Sequence, residues 1–168
     1  MTRRISSHPA SQEVTHIKLA EALVLRADTQ KRIEQLRVRL RQSALVQEGE
    51  APPENPQELL AEMDALLARL MDLVARINRT NLGTRLADGV TLTDALARRD
   101  ALTTRQSLLD TLADTAANRV DRYSRAEIRK VATVDVAALR RQLDALAGER
   151  RELDTAIQAL NWTADLAE

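Results

Sequence analysis

Residues 57–168 contain no proline, and residues 12–48 contain neither proline nor glycine. Proline removes a backbone donor and clashes with the preceding helical turn, while glycine weakens a helix by about 1 kcal/mol, so their absence opens the chain to long helices. Leucine spacing fills that opening. Leu19, Leu23, Ile33, Leu36 and Leu40 recur at helical intervals and predict a first helix from Gln12 to about Glu48, with Ser11 as its N-cap. At about 1.5 Å per residue such a helix is roughly 54 Å long, which implies an elongated hairpin or coiled coil rather than a compact globule. Residues 1–11, polar and aperiodic, are expected to form a flexible arm, and 12–168 a single helical domain.

The first break is Gly49–Pro56, "GEAPPENP". A second helix then starts on Asn55 as cap, Pro56 at the first helical position and Glu58 completing a capping box. Leu59, Met63, Leu66, Leu70, Leu73 and Ile77 continue it at alternating spacings of four and three, the mark of a coiled-coil seam. Leu60, Leu67 and Val74 widen that seam to a face that can touch two neighbours. Residues 48–64 carry six acidic and no basic side chains, whereas the preceding helix is rich in Arg. An antiparallel hairpin therefore sets the basic end of one helix beside the acidic start of the next.

A third helix is predicted from Thr91, capped with Asp94, to about Val120. The stretch from Tyr123 to Val136 fits neither the helical nor the strand period, and a short extended segment near residues 126–134 or a bent helix end satisfies it equally well. Asp135 caps a fourth helix whose Leu139, Leu143, Leu146, Leu153, Ile157 and Leu160 run to the C-terminus, with Arg150 interrupting the seam. The expected fold is all-α, an elongated antiparallel four-helix bundle or pair of coiled-coil hairpins. Long helices with wide apolar faces cannot all be covered within one small monomer, so a homo-oligomer is expected.

Composition closes off several chemistries. Cysteine is absent, which removes disulfides, thiolate metal sites and Cys nucleophiles and fits a reducing, cytoplasmic compartment. No apolar run approaches membrane length, and the N-terminal residues lack the apolar core of a signal peptide. The 25 basic and 25 acidic residues cancel, so there is no general attraction toward nucleic acid or an anionic membrane. The basic cluster Arg119, Arg122, Arg125, Arg129 and Lys130 around Tyr123 is interrupted by Asp121 and Glu127 and reads first as a solvated or interface charge run, with phosphate or RNA binding as a weaker idea. The two histidines, His8 and His16, lie in or beside the arm, away from any inward-facing metal site. Glu58, Glu62, Glu149, Glu152 and Asp154 loosely resemble the acidic motifs of all-helical nucleotide pyrophosphohydrolases, but such spacings are ordinary in charged helices. No phosphate loop, nucleophile elbow or catalytic triad is present, so no catalytic residue, metal or cofactor is predicted.

One stretch departs from leucine-filled helix: "INRTNLGTRLADGVTLTDAL", residues 77–96. The seam of the second helix falls, beyond Ile77, on Thr80 and Thr84. Gly83 suits a left-handed helix cap and Gly89 a turn. The leading reading is a capped joint whose Asn and Thr side chains satisfy free backbone groups. The alternative is a binding site for a small polar or anionic ligand, with possible hydrolysis, built from Asn78, Arg79, Asn81, Thr84, Asp94, Arg98, Arg99 and Asp100. Gln30, Arg99, Gln106 and Arg150 also occupy or adjoin seam positions, where they fix register, sit at a wet edge or line a pocket.

"KLAEALVLRADTQKRIEQLRVRL", "VQEGEAPPENPQELL", "INRTN", "GVTLTDALARRDAL", "RAEIRKV" followed by "VDV", and "RELDTAIQALNW" together resemble the septicolysin-like family of small bacterial proteins, over Lys18 to Trp162. The resemblance implies an all-helical fold and brings no catalytic residues. The pore-forming activity its label suggests finds no support in the residues, which offer no membrane-length segment and almost no interfacial aromatics. The expected function is a non-enzymatic structural or interaction module that self-associates.

Overall fold

The computed structural model describes residues 17–117 and 131–168. Four helices account for most of them: α1 (Leu19–Gln42), α2 (Pro56–Gly83), α3 (Leu92–Ala117) and α4 (Val136–Thr163). The expected all-α class is what the chain adopts, with no strand pairing among the described residues beyond two isolated bridges. None of the described helices is long and apolar enough to cross a membrane. The N-terminal arm and the basic cluster of residues 119–130 lie outside the described residues, as do His8 and His16.

The helix starts follow the local chemistry. Asn55 Oδ1 accepts from the Gln57 backbone N–H at 3.0 Å, and Pro56 needs no donor partner at the first position. The expected capping box takes a variant form, because Glu58 receives the Asn55 side-chain amide at 3.2 Å instead of its backbone N–H. At α3, Thr91 Oγ1 accepts from Asp94 N–H at 3.1 Å and donates to the Asp94 carboxylate at 2.6 Å. At α4, Asp135 accepts from Ala138 N–H at 3.0 Å. Residues 131–135, ahead of that cap, are not helical.

Helix α1 is shorter than its periodicity suggests. Its first helical residue is Leu19, because Ile17 and Leu19 are held in backbone pairing with the C-terminal segment (Leu166 N–H to Ile17 O and Leu19 N–H to Ala164 O, both 2.9 Å). It ends at Gln42, where the Ser43 N–H still reaches Arg39 O at 3.0 Å. The start of α2 lies near this end of α1, where the Arg39 guanidinium binds Glu54 and lies 3.5 Å from Glu62. In the loop that follows, Leu45 is almost fully exposed. The acidic-to-basic match predicted for this hairpin is this Arg39–Glu54–Glu62 group.

Packing is extensive within α1–α2 and within α3–α4 and sparse between the two pairs. The pairs meet at one end, where the start of α1, the end of α2, the start of α3 and the end of α4 converge. Leu19, Ala22, Leu73, Ile77, Leu92, Ala95, Ile157 and Leu166 form the core there. Each buried Leu or Ile contributes about 1.5–3 kcal/mol by removal from water, so this end is where the two hairpins become one fold.

Candidate functional site

The polar joint between α2 and α3 sits at that shared end. Thr80 is buried, at the position where the α2 seam would otherwise carry an aliphatic side chain. Its hydroxyl donates to Arg76 O at 2.9 Å and accepts the Ala167 backbone N–H at 2.9 Å. Arg76 Nε donates to Ala167 O at 2.8 Å, so α2 grips both polar groups of one C-terminal residue. The C-terminal segment Ala164–Ala167 thus forms a strap, and on its other side Lys18 Nζ binds Asp165 at 2.6 Å and Thr163 O at 3.2 Å. The face turns polar here because it binds backbone, which an aliphatic side chain leaves unsatisfied.

Residues 84–92 close on themselves. Leu92 N–H reaches Thr84 O at 2.8 Å, Leu86 N–H reaches Val90 O at 2.8 Å, and Gly89 N–H returns to Leu86 O at 2.9 Å. Gly89 has φ of 85°, which makes this a type I turn followed by a left-handed bulge residue. Asp88 accepts Val90 N–H at 3.1 Å, and Arg85 donates to Gly89 O at 2.7 Å. The left-handed cap expected of Gly83 does not form. Gly83 is the last helical residue of α2, and the chain leaves through an extended Thr84 whose N–H stays on Thr80 O.

Of the eight residues singled out as a binding set, Thr84, Asp94, Arg98, Arg99 and Asp100 take part in contacts within the fold, while among the described residues Asn78, Arg79 and Asn81 do not. Asp94 caps α3 with Thr91. Arg98 crosses to Glu149 of α4 at 2.6 Å, and Arg99 turns to its neighbour Asp100 at 2.8 Å. Thr84 contributes its backbone carbonyl to Leu92. Asn78 and Arg79 project from α2 into solvent, and Asn81 is half-buried beside them. The surface grooves at Gln106–Asp110 against Leu143–Ala147 and at Arg32–Arg39 against Glu62 include none of the eight.

Among the interrupting seam residues, Gln30 is exposed, Gln106 lines the α3–α4 groove, and the Nε atom of Arg150 is buried without a hydrogen-bond partner among the described residues, as is that of Arg26 in α1. Of the carboxylates, Glu58 is held by Asn55, Glu62 lies beside Arg39, and Glu149 takes Arg98. No three His, Asp or Glu side chains converge on a possible metal position among the described residues. One duty escaped the sequence reading: the strap at Ile17–Leu19 and Ala164–Ala167, whose visible trace is a threonine on an otherwise aliphatic seam.

The chain belongs to a family of unknown function, DUF6847, which matches residues 26–166. No curated protein matches it. Its structure is similar to the crystal structure of a functionally unknown conserved protein from Corynebacterium diphtheriae, at 48% sequence identity over 90% of this chain and 99% of that one, with a TM-score of 0.85.

Proposed function

We propose that this DUF6847 protein is a non-enzymatic helical interaction module that works by self-association in the cytoplasm; the septicolysin-like resemblance bears on its helical fold, and the absence of cysteine on the compartment. The observation that carries the reading is the contrast between its two kinds of surface. At the joint, Thr80, Arg85, Asp88, Thr91 and Asp94 are engaged in caps, the turn and the C-terminal strap. Large apolar side chains remain in water, among them Val24 of α1, Leu60, Leu67 and Met71 of α2, and Leu108 of α3. Scattered apolar residues are normal on a surface, but several on one helix face suggest a partner.

Native mass spectrometry of the full chain tests this directly. Assemblies at multiples of 18.7 kDa are the expected result. A monomer carrying extra mass that leaves on unfolding would replace the proposal with the alternative, a polar or anionic ligand held near Asn78, Arg79 and Asn81.

A further inference from the structure

The large exposed apolar residues of α2 are arranged about a centre. Leu60 and Leu82 stand eleven residues either side of Met71, and Leu67 and the half-buried Ala75 four either side. Ala68 and Val74 stand three either side, and the polar Asp64 and Asn78 seven either side. At about 100° per residue all of these fall on one face of the helix. The face is open: Leu60 is 51% exposed, Leu67 46%, Met71 72%, Val74 37% and Leu82 62%. Thr80, which receives the C-terminal strap, is nine residues on from Met71 and so on the opposite side of α2. The first seam, Leu59 to Ile77, is turned to α1 and the core.

An isologous two-fold contact sets residue i against j and j against i, so apolar positions placed evenly about one residue meet apolar positions of the partner. We infer that a second copy of this chain docks on this face, α2 against α2, antiparallel, with Met71 facing Met71 across the two-fold axis. This rests on the self-association proposed above and names its surface. Antiparallel pairing sets Leu60 against the partner's Leu82, Leu67 against the partner's Ala75 and Ala68 against the partner's Val74, matching large side chains with small ones at the centre.

Charge selects the same direction. Asp64 lies on this face toward the start of α2 and Arg79 at its rim toward the end, and neither forms an ion pair among the described residues. An antiparallel partner brings its Arg79 alongside Asp64, twice by symmetry. A parallel partner would stack Asp64 on Asp64 and Arg79 on Arg79, which like charges disfavour. A contact between single helices falls at or below the roughly 800 Å² per partner of a standard interface, so the dimer is expected to dissociate on dilution into the micromolar range.

The absence of cysteine makes the full-length chain a clean background for crosslinking. Met71→Cys should form a disulfide-linked dimer rapidly under mild oxidation, while Leu108→Cys, equally exposed on α3, should not. Leu60→Cys and Leu82→Cys should link to each other when the two variants are mixed. Alone, Leu60→Cys should stay monomeric, because its two copies then stand roughly 33 Å apart along the helices at about 1.5 Å per residue. Met71→Lys should cut the dimer fraction in native mass spectrometry at least tenfold with an unchanged far-UV spectrum. Dimers that survive Met71→Lys, or a Leu60→Cys self-link without the mixed product, would overturn this surface while leaving self-association standing. A wild-type chain that is monomeric at every concentration would remove both.

Discussion

Gly89 and Gly83 sit six residues apart and carry opposite demands. Gly89 holds φ at 85°, where a Cβ crowds its own backbone although the space around it is open. Gly89→Ala should therefore cost about 1 kcal/mol in urea unfolding. Gly83 is helical, with nothing within 4 Å of the place a methyl group would take, so Gly83→Ala should leave stability unchanged or raise it by up to about 0.5 kcal/mol. A larger loss at Gly83 than at Gly89 would contradict the turn geometry. Thr80 is the other decisive residue. Thr80→Val keeps the volume and deletes the acceptor for Ala167 N–H, an expected loss of about 1 kcal/mol. The accompanying sign is faster amide exchange at Ala167, and unchanged exchange there would mean that the strap is held by something else.

At the scale of elements, the Arg39–Glu54–Glu62 group fastens the open end of the first hairpin. The guanidinium hydrogen-bonded to Glu54 holds that carboxyl below its ordinary range, the attraction outweighing the smaller opposing effect of desolvation, and Glu54 in turn raises Arg39. A carboxyl whose folded pKa lies below its unfolded value stabilises the fold fully above the unfolded value. That contribution is lost as pH falls through the ordinary carboxylate range and past the folded pKa. Glu54→Gln should flatten this part of the stability-versus-pH curve, measured by thermal unfolding between pH 7 and the acid limb. An acid limb identical to wild type would show that the pair adds nothing to stability. The element that sequence defined best, α2, is the one where cap, first-turn proline and heptad seam all agree. The start of α1 was hidden because it is set by pairing with residues 164–166 at the other end of the chain, which no local window contains. Its end was hidden because helical propensity persists past Gln42, into what is loop in the fold.

The whole molecule is two hairpins that become one fold at a single shared end, with little packing between them elsewhere. The joint at residues 77–96 was legible as unusual for the same reason that its role was not: Thr80 stands out locally, but its partner Ala167 is a non-local peptide group. The exposed α2 stripe was legible only in part: Leu60, Leu67 and Val74 read as a widening of the α1-facing seam, and their exposure sets them apart from it. Such an architecture predicts unequal consequences for equally buried residues. Ile157 belongs to the shared core, whereas Leu59 is buried at the far end of the first hairpin, away from α3 and α4. Truncation of either to alanine should cost about 2–5 kcal/mol where the cavity is felt. Ile157→Ala should accelerate native-state amide exchange at the converging ends of all four helices, because it loosens the only extensive contact between the pairs among the described residues. Leu59→Ala should accelerate exchange in α1 and α2 and leave α3 and α4 near their wild-type rates, since few contacts carry the disturbance across. If Leu59→Ala instead speeds exchange in α4 as strongly as in α2, the hairpins unfold as one cooperative unit, and the shared end is stronger than its small core suggests.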